Sequence, residues 1–522
     1  MSNSVSRREF LCRLGAAGGS TAIYQASVAL GLASASQGAS SETLFPLLDK
    51  RPRVVVLGAG ISGLACVYQL ERAGYDCILI EASGRIGGRN LTVRSGDIVE
   101  EMGNPQRCHF DKHPNLYFNA GPARIPANHH RLLDYCKTLG VELEVFIGEN
   151  RHALVHDTRV YGGKPMRMQE YVTDARGFMT ELLTKSVHRD AFESSFSNED
   201  AERLFEFLRH YGDLDEKGIY KGSSRSAFAA FSRDRSMAQG AFDFSELLKH
   251  TFWQNLSMHI TEYMGAPLMQ AVGGNDQIVR GFIRHIKSPI ITGAPVQDIS
   301  LTADGVNIVY QHKGRHHSIH ADYCLNSIPF HLLPGIHNNF SKEYMTAIKA
   351  IDRGKPVKVA LQMSERFWER EGIYGGISYT DQLIKQLWYP SQGIHSQKGV
   401  MLGAYTYTEE DGDALAGMTP EQRIQTAIEQ GKHIHSDFGS YVETGVSVPW
   451  HRMKYMMGCP AIWTPETRQR YFSRLQQPEG RHYLIGDQIS DHPGWQEGAL
   501  NSAHFALAML NQRVQAEVQR NA

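Results

Sequence analysis

Gly58-Ala59-Gly60-Ile61-Ser62-Gly63, with the acid Glu81 about 20 residues further on, is the arrangement of residue types that holds a dinucleotide. The first glycine permits a tight turn. The second lets the backbone touch a pyrophosphate, and the third lets the following helix lie close to a sheet. Glu81, with Ala82 beside it, can accept hydrogen bonds from an adenosine ribose and would repel a 2′-phosphate. Immediately downstream, Gly84-Arg85-Ile86-Gly87-Gly88-Arg89 is a second glycine turn bracketed by two arginines, whose guanidinium groups would neutralise a diphosphate at close range. Lys358 opens the run Lys358-Val359-Ala360-Leu361-Gln362, and a lysine inside a buried strand is expensive unless it has a task.

These residues need elements to carry them. Arg53-Val54-Val55-Val56-Leu57 is a continuous apolar run, the pattern of a buried parallel strand, and it feeds the first glycine turn directly. Leu64 to Leu70 reads as the helix that the turn opens, and Cys77 to Ile80 as the second strand, ending at Glu81. Leu132, Leu133, Tyr135, Cys136 and Leu139 recur at helical spacing, and further helical patterns fill residues 166–269, so the middle of the chain reads as a helical lobe. Strand-like runs return at Ile290-Ile291, Val306 to Tyr310, Tyr323 to Ile328, Val357 to Gln362, Val400 to Tyr405 and Tyr483 to Ile485. Late in the chain Leu484-Ile485-Gly486-Asp487 is a strand entering a turn, followed by Gly494-Trp495-Gln496 and a final helix.

Taken together, the glycine turn, the arginine-flanked extension and this late segment resemble the flavin amine oxidase family from about Arg53 to Ala508. The resemblance implies an α/β fold of two domains: a discontinuous Rossmann-like FAD-binding domain, and a substrate domain of mixed sheet plus helical lobe. Its segments would be residues 51–120, 271–330 and 451–522 for FAD, and 121–270 and 331–450 for substrate. Within the family, Asn119-Ala120-Gly121-Pro122-Ala123-Arg124-Ile125-Pro126 looks like the motif of L-amino-acid oxidases, in which the arginine grips the substrate carboxylate; a planar, permanently charged fork matches a carboxylate in two parallel hydrogen bonds. The likeness further implies a second carboxylate contact from Tyr389, a water-bridged flavin contact from Lys358, a cavity wall from Trp495 and a backbone contact to adenine from Val296. It implies FAD contacts from Gly58, Gly60, Ser62, Gly63, Glu81, Ala82, Gly88, Arg89, Gly121, Pro122, Ala123, Arg124, Val296, Gly486, Asp487, Gly494, Trp495 and Gln496, with Asp487 on a ribityl hydroxyl. Gly273-Gly274-Asn275-Asp276-Gln277 resembles the turn leading back into the FAD domain. No cysteine lies in the late motif, where monoamine oxidases attach FAD, so the cofactor is expected to be non-covalent.

The implied reaction is oxidation of an L-amino acid by dioxygen to the 2-oxo acid, ammonia and hydrogen peroxide. The same scaffold would serve an amino-acid 2-monooxygenase, a monoamine or polyamine oxidase, or a non-catalytic FAD-binding protein. The residues around Tyr220-Lys221-Gly222-Ser223 and Ile462-Trp463 are expected to line the cavity, and Asp491 would either favour a basic substrate or stand solvated in its loop. A formal net charge of −1 and the absence of a basic run with interleaved aromatics exclude a nucleic-acid surface. No histidine pair has ligand spacing with a carboxylate or thiolate, so no metal is expected. The scattered cysteines read mostly as buried thiols. No apolar stretch reaches the ~20 residues a membrane-spanning helix needs. Arg7-Arg8 before a weakly apolar segment ending in Ala33-Ser34-Ala35 reads as a twin-arginine export signal over residues 1–35, with 36–50 as lead-in and a periplasmic or secreted destination. The oligomeric state is not readable from the sequence, although relatives of this type often pair, so a homodimer is one of the assemblies left open.

Overall fold

A computed structural model of the chain describes residues 51–187, 198–226, 239–257, 261, 264–265 and 267–521. The export segment and the lead-in expected over 1–50 lie outside the described residues.

The apolar run Arg53–Leu57 is buried from Val54 onward, as a strand covered on both faces must be. It sits inside a five-stranded parallel sheet in the order Ile290–Ile291, Asp76–Ile80, Arg53–Leu57, Tyr323–Asn326, His482–Leu484. This sheet gathers strands from well-separated parts of the chain, which accounts for the interrupted pattern of the sequence. One face is covered by the helices Ile61–Arg72, Gln277–His285 and Gln496–Asn521. The other packs on a four-stranded sheet, Arg315–Ala321, Val306–His312, Val296–Leu301 and His337–Asn338, and on the helix Lys342–Lys349.

A seven-stranded mixed sheet runs Met166–Arg167, Leu154–His156, Gly376–Thr380, Gln386–Tyr389, Gly399–Thr406, Val357–Met363, Val442–Pro449. Its pairs are antiparallel except Leu154–His156 with Gly376–Thr380. The helices Met168–Val187 and Asn198–Gly212 pack on each other beside it and form the lobe. The α/β class implied by the resemblance is the one observed, with several sheets beside the helices. Where the parallel strands end, residues Gly58, Glu81, Ser327 and Gly486 emerge into one cavity. Ligands in open α/β sheets bind in such a crevice outside the carboxyl ends of the strands.

Candidate active site

The cavity encloses about 590 Å³, within the range of preformed small-molecule sites. Its lining includes Gly58, Gly60, Ser62, Glu81, Ala82, Gly88, Arg89, Gly121, Pro122, Ala123, Arg124, Val296, Lys358, Gly486, Asp487, Gly494, Trp495 and Gln496. Of the residues to which the resemblance gives a contact with FAD or with the substrate carboxylate, the structure brings together all but Gly63 and Tyr389.

The glycine turn leaves room for a ligand's backbone contact. Gly58 has φ +94°, and a Cβ on Gly63 would come 2.1 Å from Gly58 O, so Gly63 serves helix packing behind the cavity rather than the wall itself. A Cβ on Gly60 would meet no atom within 4 Å and would instead fill the space a pyrophosphate needs. Glu81 is buried; one oxygen accepts from Ala59 N at 2.7 Å and the other from Ser83 N and Oγ at 2.8 Å. Gln496 is buried at the start of the last helix, and neither end of its amide has a hydrogen-bond partner among the described residues. A buried, unsatisfied amide at a cavity wall is costly until a ligand meets it. This long cleft, with its open glycine, its ribose-facing acid and its orphaned amide, fits an extended flavin dinucleotide.

Arg89 pairs with Asp487 in a fork, with Nη1 to Oδ2 at 2.9 Å, and also donates to Cys459 Sγ at 3.2 Å. Burial opposes both charges, yet the pairing outweighs it, holding Arg89 above and Asp487 below their ordinary values. Asp487 also accepts from Gly494 N at 2.7 Å, tying the two late turns together. The diphosphate role expected of Arg85 meets a different geometry: its guanidinium donates to Gly88 O at 2.5 Å and so braces the second glycine turn.

Arg124 is flanked by two indoles, its Cζ 5.3 Å from the Trp388 ring and 5.0 Å from that of Trp495. Its Nε is sealed from solvent and unpartnered, and no ion pair to a carboxylate is present among the described residues. Lys358, on the fully buried strand Val357–Met363, donates to Gly121 O at 2.6 Å and Asn119 O at 3.4 Å. Burial first, and then the Arg124 charge, push its pKa from 10.5 down to about 7.

Tyr389 is not brought to the cavity. Its hydroxyl contacts Ser378 Oγ at 2.7 Å and His435 Nε2 at 2.6 Å on the opposite face of the sheet, because successive strand residues point to opposite faces. Trp388, its neighbour, takes the position beside Arg124. Nor do residues 220–223 or Ile462-Trp463 line the cavity: the Tyr220 hydroxyl donates to Asp174, and Trp463 donates to Gln488 O behind the Asp487 turn. Asp491 is exposed and pairs with Arg468, which is its solvated-loop alternative. Four aromatic wall residues are among those that escaped the sequence reading: Tyr405, Tyr407, Trp450 and Tyr455. The alternation within Val400 to Tyr405 offered a signal for the first, while Trp450, donating to Ala120 O at 3.0 Å, had none. The six described cysteines are free, five of them buried, and among the described residues no cluster could hold a metal.

A sequence profile of the flavin containing amine oxidoreductases matches residues 61–506. An L-amino-acid oxidase from Siganus canaliculatus is 26% identical over 481 residues, spanning 90% of this chain and 87% of its own. The flavin-dependent L-tryptophan oxidase RebO from Lentzea aerocolonigenes is 27% identical, spanning 88% and 98%. Among solved structures, a cyclohexylamine oxidase from Brevibacterium oxydans superposes with a TM-score of 0.61 at 16% identity, covering 89% of this chain and all of that one. A putrescine oxidase variant gives the same TM-score at 17% identity, covering 89% and 99%.

Proposed function

The chain belongs to the flavin containing amine oxidoreductases, and on that premise we propose that it is an FAD-dependent L-amino-acid oxidase. The amino acid, dioxygen and water give the 2-oxo acid, ammonium and hydrogen peroxide. One observation carries the reading: a guanidinium in the cavity wall with no acid to pair with among the described residues, its Nε sealed from solvent, flanked by two indoles.

Arg124 takes the substrate carboxylate in a fork, which orients Cα and excludes amines that lack the acid. Trp388 and Trp495 keep the guanidinium plane fixed, so little freedom is lost when the carboxylate arrives. FAD, which Gly60, Glu81 and the turn that carries Asp487 would hold, would supply the two-electron acceptor that links the amino acid to dioxygen. Trp495 walls the substrate from bulk water, and Lys358 holds a titratable proton at Nζ beside Gly121. No dedicated base is required: the ammonium loses its proton to solvent before the hydride leaves, and water hydrolyses the imino acid.

Anaerobic titration of the flavin-loaded protein with L- and D-amino acids tests this. L-amino acids should bleach the flavin, and air should restore it with peroxide. Arg124→Ala should raise the KM for amino acids by about a hundredfold, the order lost when a charged hydrogen-bond partner is removed, with the flavin spectrum intact. Equal turnover of simple alkylamines and their carboxylated counterparts would defeat the assignment.

A further inference from the structure

Four consecutive carbonyl groups lead up to Arg124, and each accepts from a side chain delivered by a distant segment. Lys358 reaches Asn119 O and Gly121 O, Trp450 reaches Ala120 O, and Asn275 Nδ2 donates to Pro122 O at 2.8 Å. The last of these is the tether nearest to Arg124 along the chain.

Asn275 is almost wholly buried, at 1% exposure, and does not line the cavity. Its Oδ1 accepts from Ala271 N at 2.9 Å, at the end of the strand Leu268–Ala271, so the two ends of one amide bridge that strand to the Pro122 carbonyl. The partners fix the amide's orientation, since a backbone N–H needs the oxygen and a carbonyl needs the NH₂. Its backbone N donates to Asn119 Oδ1 at 3.0 Å, and the same oxygen accepts from Thr92 Oγ1 at 2.8 Å. The preceding Gly274 has φ +111°, and a Cβ there would lie 2.5 Å from Thr92 Cγ2; only glycine lets this turn press Asn275 against the Asn119–Pro122 segment. The turn singled out in the sequence thus ends in a clamp on the loop that carries Arg124.

We propose that Asn275 is a positioning residue for carboxylate recognition, setting the place of the Arg124 backbone in the cavity through the Pro122 carbonyl. The inference rests on the reading of Arg124 as the carboxylate clamp. Rates and affinities at such clamps are sensitive to displacements of an ångström or less.

Asn275→Asp keeps the shape and the acceptor for Ala271 N but sets an oxygen against Pro122 O. Asn275→Ser keeps a short donor that cannot span both partners, and is measured alongside so that loss of fold in one variant still leaves the test. The flavin-loaded proteins are titrated with benzoate, a carboxylate probe read from the visible flavin spectrum, and KM and kcat are measured with an L-amino acid. The expected result is benzoate binding and KM both weakened about tenfold, with kcat within about twofold, corresponding to loss of one charge-assisted contact's worth of alignment. Unchanged benzoate affinity and KM, in variants that keep their flavin while Arg124→Ala loses benzoate, would overturn the positioning role. So would a fall in thermal stability and flavin content with unchanged KM. If Arg124→Ala binds benzoate as the parent does, the carboxylate reading itself fails, and this inference falls with it.

Discussion

Lys358 shows how one buried side chain can hold two tasks. As an ammonium it tethers Asn119 and Gly121, and as a charge next to Arg124 it is held near neutrality, with a pKa of about 7. The group is charged below that value and neutral above it. A positive charge favours the step in which dioxygen gains electrons, because a preorganised cation in a water-poor cavity stabilises developing negative charge. Reoxidation of the reduced protein by oxygen should therefore slow as pH rises through about 7. Lys358→Met should remove that inflection and slow reoxidation by about tenfold or more, the scale of one lost electrostatic contact, with reduction by substrate changed far less. Stopped-flow measurement of the two half-reactions decides it. Equal slowing of both would reduce the lysine to its tether.

The strand Gln386–Tyr389 shows what an element adds to its residues. All four side chains are buried, so the alternation of polar and apolar positions that reveals a half-exposed strand is missing, and the sequence does not say whether Trp388 or Tyr389 faces the site. The strand's phase is set by pairing with Gly376–Thr380 and Gly399–Thr406, which no local pattern encodes. By contrast the glycine turn, Glu81 and Lys358 are legible in their residue types, whereas Arg124 is singled out only through the family resemblance of its segment. Asn275 and Trp450 are not legible, since their partners lie 153 and 330 residues away. Tyr389→Phe should leave the amino-acid KM within about twofold and cost about 1–3 kcal/mol of stability, because it strands Ser378 and His435 in a buried network. Trp388→Leu should raise KM about fivefold through loss of a cation–π contact, and, because Trp388 is itself buried in the core, should lower the melting temperature as well. Steady-state kinetics of the pair separate the faces, thermal melts measure the loss of stability, and a larger KM effect from Tyr389→Phe would contradict the strand's phase.

At the scale of the whole molecule, the two sheets are assembled from interleaved segments, so neither could be recognised as a contiguous block, and the cleft is built by both: turns at the ends of the parallel strands and the buried strand that bears Lys358. Such extensive burial also encloses imidazoles. Burial holds His129, His250 and His331 at a pKa of about 4, and His482 and His504 at about 3, against an ordinary 6.5. Unfolded, each binds a proton near pH 6.5; folded, only near pH 3 to 4. Unfolding therefore takes up protons across that window, and the stability these sites provide is complete above about pH 6.5 and is lost progressively as pH falls toward 4. Each imidazole adds at most about 1.4 kcal/mol per pH unit to the slope. Asp174 and Glu497, whose carboxyls burial raises, act in the opposite sense but are outnumbered. The melting temperature should thus fall steadily as pH is lowered from 6.5 to 4.5, while above pH 7 the depressed Lys358 ammonium acts in the same sense. His504→Phe, which removes one of these imidazoles and its contact with the Tyr135 hydroxyl at 2.8 Å, should lower the melting temperature at pH 7 while making the fall below it shallower. Calorimetric scans of the two proteins across that range would show it, and a melting temperature independent of pH from 7 to 4.5 would mean that these histidines are already charged in the folded protein.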